Sequence, residues 1–87
     1  MNRPEAAIFG KALREARLRR GMSQADVASV VEDKGGRLTS NYVSDLERGL
    51  KAPTLTMILK LGRALEVSVS ELLSDFTPEV VRKLRLE

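Results

Sequence analysis

From Thr39 to Gly49 the chain reads Thr-Ser-Asn-Tyr-Val-Ser-Asp-Leu-Glu-Arg-Gly, short hydrogen-bonding side chains interrupted by apolar ones at helical spacing. Wound at about 100° per residue and centred on Val43, this segment places Leu46 and Glu47 beside the buried side. Asn41, Asp45 and Arg48 fall on the opposite side, with Ser44 between. The chemistry open to such a face is recognition. A major groove about 12 Å wide admits one α-helix and is read by side chains that donate to, or accept from, base edges. Small residues at the start, Thr39, Ser40 and Asn41, allow close backbone approach, and the positive end of a helix dipole favours phosphate. An ordinary solvated helix surface has a similar composition, so the meaning of the face rests on the elements that hold it.

Those elements read as helices throughout, because apolar residues recur at spacings of three and four and no long alternating run occurs. A first helix runs from about Glu5 to Arg20 with Phe9, Ala12, Leu13 and Ala16 in one stripe, and Gly21 as its stop. Arg17 lies at the edge of that stripe. A second helix opens at Ser23, an N-cap with Asp26 three residues on, and turns Val27, Ala28 and Val31 inward. Glu32-Asp33-Lys34-Gly35-Gly36 breaks it. The third helix starts at Thr39 or Ser40 and ends at Gly49. Ala52-Pro53-Thr54 then leads into a fourth helix, with Leu55, Ile58, Leu59 and Leu65, reaching about Glu66.

Ser68 and Glu71 have the spacing of a capping box, and Val67 and Leu72 that of a hydrophobic staple, so a short fifth helix follows. Thr77-Pro78-Glu79 begins a short C-terminal sixth helix mixing Val80, Val81 and Leu84 with Arg82, Lys83 and Arg85. The expected architecture is all-α: one compact five-helix domain over residues 5–75, with residues 76–87 as a tail that forms a short helix or a dimer contact.

Eighty-seven residues make one domain with a modest core, and 43% hydrophobic with 31% charged residues is a globular composition. There is no cysteine and no histidine, which removes disulfides, thiolate metal sites and the commonest general base. Gly35-Gly36 is a turn signal rather than a phosphate loop, and Asp45 and Glu47 point to different faces of one helix. No enzyme, metal or cofactor is therefore expected. Fifteen Lys and Arg against twelve Asp and Glu give a net charge of +3, which permits a polyanionic partner. No signal-peptide-like hydrophobic region follows Met1-Asn2-Arg3-Pro4-Glu5, and no apolar run approaches the roughly 18 residues of a membrane span. A cytoplasmic, nucleoid-associated chain without membrane contact is the expectation.

Several stretches, in order and at near-normal spacing, carry a family pattern. They are Arg14-Glu15-Ala16-Arg17, Gly21-Met22-Ser23-Gln24-Ala25-Asp26-Val27-Ala28 and Asn41-Tyr42-Val43-Ser44-Asp45-Leu46-Glu47-Arg48-Gly49. With them come Ala52-Pro53-Thr54-Leu55 and Ala64-Leu65-Glu66-Val67-Ser68-Val69-Ser70-Glu71-Leu72-Leu73. Over about residues 8 to 74 the chain closely resembles the Cro/lambda-repressor-like helix-turn-helix domains, also called the xenobiotic-response-element family. The resemblance implies a lambda-repressor-like five-helix DNA-binding domain acting as a homodimer on double-stranded operator DNA, and hence a transcriptional regulator whose third helix is the recognition helix.

By the family pattern Ser40, Asn41, Ser44 and Asp45 fall at base-facing positions. Gln24 would contact phosphate and orient helix three, and Tyr42 and Arg48 fall where phosphates are often touched. Thr39, Arg37 and Lys51 complete the phosphate-binding candidates. Arg17 and Glu47 correspond to the family's interior ion pair, so Arg17 is read as structural.

Two departures from the pattern leave alternatives. The link with Glu32-Asp33-Lys34-Gly35-Gly36-Arg37 is about five residues longer than a tight turn, so either helix two runs on or a loop brings Lys34 and Arg37 toward phosphates. Asp45 stands where many relatives carry glutamine, lysine or arginine, and is either a reader of the cytosine N4 amino group or a partner for Arg48. Tyr42 either packs or meets DNA. Apolar residues from Leu72 through Leu84 suggest C-terminal pairing of two copies. The alternative function is a protein-interaction module, an antitoxin or transcriptional bridging factor with a protein partner.

Overall fold

The structure, a computed structural model, describes residues 3–32 and 38–86. Among the described residues it has six helices and no strand: α1 Pro4–Arg19, α2 Gln24–Glu32, α3 Ser40–Glu47, α4 Leu55–Leu65, α5 Val69–Leu72 and α6 Pro78–Lys83. The fold class is all-α. No helix of the described residues is long and apolar enough to cross a membrane.

Most helix starts are local events in which a side chain satisfies a backbone N–H that the first turn leaves without a partner. Asp26 N–H donates to Ser23 Oγ at 3.0 Å and Ser23 N–H to Asp26 Oδ2 at 2.9 Å, a reciprocal capping box at the head of α2. Thr39, Thr54, Ser68 and Thr77 cap α3, α4, α5 and α6, accepting from Tyr42, Met57, Glu71 and Val80 N–H. At α5 only half of the expected box is used in this way. The Glu71 carboxylate accepts instead from Arg19 Nη2 at 3.2 Å, tying α5 to α1.

One core joins these helices. Phe9, Leu13 and Ala16 of α1, Val27, Ala28 and Val31 of α2, and Val43 and Leu46 of α3 meet Leu61, Ala64 and Leu65 of α4 and Leu72 of α5. Leu38, directly before the cap of α3, is buried in the same cluster. α3 packs on both α1 and α2, while α4 and α5 close the far side. Two leucines of α4 that the three-and-four spacing groups with the core lie outside it. Leu55 and Leu59 are 68% and 52% exposed, and Leu50 in the preceding link is 50% exposed. Leu72 is a core residue, whereas α6 buries none of its own, and Val81 and Leu86 are exposed.

Candidate nucleic-acid interface

α3 is held at its two ends and from behind. At its start Thr39 Oγ1 accepts from Tyr42 N–H at 3.1 Å. At its end Gly49 takes φ +74°. Gly49 N–H donates to Leu46 O at 3.1 Å and Leu50 N–H to Asp45 O at 2.9 Å, the two bonds of a Schellman stop. Val43 and Leu46 are wholly buried. Ser40, Asn41 and Arg48 are exposed, and Ser44 and Asp45 are half-buried on the same outer side.

Behind α3, Glu47 gathers three donors from two other helices. Arg17 Nε and Nη2 of α1 reach its two oxygens at 2.6 and 3.0 Å, and Gln24 Nε2 of α2 reaches Oε1 at 3.1 Å. Arg17 Nη1 also donates to Met22 O at 2.9 Å. The side chains of Arg17 and Glu47 are only 10% and 3% exposed. Such a planar, two-pronged pair is strong where water is excluded, provided its remaining valences are met, and here they are shared with Gln24 and the Met22 carbonyl. The hydrogen bond to Glu47 raises the pKa of Arg17 above its already high value, against the opposing effect of burial.

A third brace is steric. Gly10 on α1 faces the last turn of α3 so closely that a β-carbon there would lie 2.7 Å from Glu47 O and 2.9 Å from Glu47 C, and closer still to Leu46 O. Only a residue without a side chain lets the two backbones meet at this distance.

The outer surface carries its own ion pairs. Asp45 Oδ1 accepts from Arg48 Nη2 at 3.0 Å, and Asp45 Oδ2 lies 3.4 Å from Lys51 Nζ. The Lys51 ammonium stands 5.5 Å from the centre of the Tyr42 ring, within the range of a cation–π contact. Among the described residues no group of three or more His, Cys, Asp or Glu could hold a metal ion.

Comparison with known proteins follows the same outline. The family model described as "Helix-turn-helix" matches residues 13–72, which include α2, α3 and the network behind them. The chain belongs to the helix-turn-helix family, in its Cro/lambda-repressor-like form. This helix-turn-helix chain is 38% identical over 71 residues to the control protein C.BamHI of Bacillus amyloliquefaciens, covering 80% of each chain. It is 29% identical over 79 residues to the transcriptional regulator ClgR of Mycobacterium tuberculosis, covering 91% of this chain and 66% of that protein. It thus spans just under two thirds of that relative's length. Among solved structures, the restriction-modification controller protein C.AhdI of Aeromonas hydrophila matches with TM-score 0.70 and 37% identity, over 78% of this chain and 91% of that one.

Within the motif, Ser40, Asn41, Ser44 and Asp45 share the outer face of α3 with Arg48. Thr39 serves as the cap, so its oxygen is engaged with the backbone. Gln24 grips Glu47 directly. Tyr42 is half-buried and packed against the core. Asp45 is the partner of Arg48 and, in addition, of Lys51. Arg37 and Lys34 lie outside the described residues, as does most of the link they belong to. Two contributors escaped the sequence reading. Gly10 had a signal, a glycine in the middle of an otherwise regular helical pattern. Leu38 had little, an isolated apolar residue beside a glycine-rich link.

Proposed function

We propose that the chain is a non-enzymatic transcriptional regulator that binds operator DNA as a homodimer, with α3 of each copy in a major groove. The observation that carries this reading is the outer face of α3, short, polar and continuous, on a helix fixed from behind by the Arg17–Glu47–Gln24 network. With its side chains an α-helix is about 10–12 Å across, which the roughly 12 Å width of the groove admits. Ser40, Asn41, Ser44 and Asp45 face bases, and Gln24, Arg37, Thr39, Tyr42, Arg48 and Lys51 serve phosphates. Gln24 can do so while holding Glu47, because its amide carries two N–H donors. The names of the relatives, a control protein and a transcriptional regulator, support the same role. A cytoplasmic location follows from a DNA partner.

The second copy covers the exposed apolar side of α4. Leu55 and Leu59 are one turn apart there, and Leu50 lies in the link between α3 and α4, so pairing on this side would set the separation of the two α3 helices. Half-sites about one helical turn, 34 Å, apart are then expected. In sedimentation, Leu55→Glu with Leu59→Glu should give monomers while deletion after Asp75 leaves the dimer; the opposite pattern would assign pairing to the tail.

Selection of bound duplex from a random pool, followed by gel shift across salt concentrations, tests the function itself. Inverted half-sites and an affinity falling steeply with salt are expected. No retarded duplex at low salt would refute the reading.

A further inference from the structure

The outer face of α3 carries one carboxylate, and two cations lean on it. Asp45 offers one oxygen to Arg48 Nη2 at 3.0 Å and the other to Lys51 Nζ at 3.4 Å. The cations themselves are well exposed, 63% for the Arg48 side chain and 56% for Lys51, while that of Asp45 is 24% exposed. The Tyr42 ring lies 5.5 Å from the same Lys51 ammonium. An anion bridged by a guanidinium and an ammonium resembles a backbone phosphate between the same two groups.

We propose that Asp45 is a specificity gate. It stands in for phosphate in the free protein, holding Arg48 and Lys51, and lets them go to DNA only where a base presents an amino group in their place, the N4 amino group of cytosine. This rests on the DNA-binding reading above and deepens it by naming the base and the penalty for a mismatch.

The physical argument is an exchange of partners. On an unmatched sequence the ion pairs can stay closed, and then two cations and one anion meet the phosphates as a single net charge. Alternatively they open, and a carboxylate is left against a polyanion in a groove from which water has been expelled, an arrangement that costs heavily without a donor. Guanine and thymine present only acceptors in the major groove, and adenine sets its amino group beside the N7 acceptor, whereas cytosine presents a donor alone. Cytosine therefore takes the place of the two cations, which move to phosphates. The penalty falls on wrong sites and is lifted at right ones, so Asp45 lowers general affinity in return for discrimination.

The test compares the full chain with Asp45→Asn and Asp45→Ala by fluorescence anisotropy from 50 to 200 mM KCl. The probes are a random-sequence duplex, the duplex selected by the unaltered protein, and that duplex with each cytosine replaced in turn. Thermal unfolding confirms that each variant is folded; the two substitutions differ in size and polarity, so one failing to fold leaves the other. Removing one negative charge frees about one further phosphate contact, which steepens the log–log salt slope by about 0.9 and at 0.1 M salt tightens random-duplex binding about eightfold to tenfold. The selected-to-random affinity ratio should fall by at least the same factor, and one cytosine per half-site should cease to matter. A helix merely destabilised by the change would weaken binding to every duplex. If the unaltered protein binds duplex but the variants show the same random-duplex affinity and slope, or keep the cytosine preference, the gate is refuted and the DNA reading stands. If the unaltered protein binds no duplex, both fall together.

Discussion

Gly10→Ala sets two physical rules against each other. Alanine is the better helix former by about 1 kcal/mol, and Gly10 sits inside α1, so propensity alone makes the variant more stable. The packing says otherwise. The added carbon would lie 2.7 Å from Glu47 O and 2.9 Å from Glu47 C, and these are backbone atoms that cannot rotate away. Restoring ordinary contact requires α1 and α3 to part by about 1 Å, and a gap of that size forfeits roughly a quarter to a half of each affected dispersion contact. Phe9, Leu13, Val43 and Leu46 lie in the affected core. Overpacking of this kind costs about 3 kcal/mol, leaving a net loss of about 2 kcal/mol after the gain in propensity. For a domain of this size that lowers the melting temperature by about 8–16 °C. Thermal and urea unfolding followed by circular dichroism measure it. A variant as stable as the parent, or more so, would refute the account of α1 and α3 as backbones in contact.

Glu47→Gln leaves the Arg17 guanidinium buried without its counter-charge and should cost about 3 kcal/mol in urea unfolding, whereas Arg17→Met with Glu47→Leu together should cost less than the single change. A cost for the double change equal to the sum of the two single costs would mean that the pair is not energetically coupled. Asp26 is held below the ordinary carboxylate range, first by the backbone N–H of Ser23 and then by its hydroxyl. A lowered folded value means that its contribution is complete above about pH 4 and disappears as pH falls through the folded value. The stability gap between the parent and Asp26→Asn should therefore narrow as pH falls below about 4, and a gap unchanged by acidification would exclude the charge as its source. Glu66 ends α4 at φ 57°, ψ 41°, a left-handed conformation costly for most side chains and tolerated by asparagine. Glu66→Asn should raise stability by about 0.5 kcal/mol, and a loss instead would show that its surface pair with Arg20, 2.8 Å apart, outweighs the backbone.

What could be read in advance follows the range of the interactions involved. The caps at Ser23, Thr39, Thr54, Ser68 and Thr77 depend on a partner three residues away, and each was legible. The inward residues of α1 to α3 follow from periodicity, and so does the outer face of α3, because Val43 and Leu46 fix which side is in. In α4 the same rule misleads. The helix's apolar residues cover an arc wider than the core takes in, opposite Thr56, Lys60 and Arg63, and Leu55 and Leu59 at the edge of that arc lie outside. The destinations of long polar side chains were also hidden. That Lys51 turns back to Asp45, and that Gln24 holds Glu47, depends on where one element lies against another. Gly10 shows the same limit, since its reason lies in a helix more than thirty residues further along the chain.

Leu38 has a wider consequence. It returns the chain to the core immediately before Thr39 starts α3, so the beginning of that helix is moored by the core and not by the number of residues that lead up to it. The preceding link can then lengthen or shorten between descendants at an entropic cost growing only logarithmically, about 0.6 kcal/mol for each doubling. Insertions in this stretch are a variable that evolution or an engineer can adjust while the outer face of α3 stays in register.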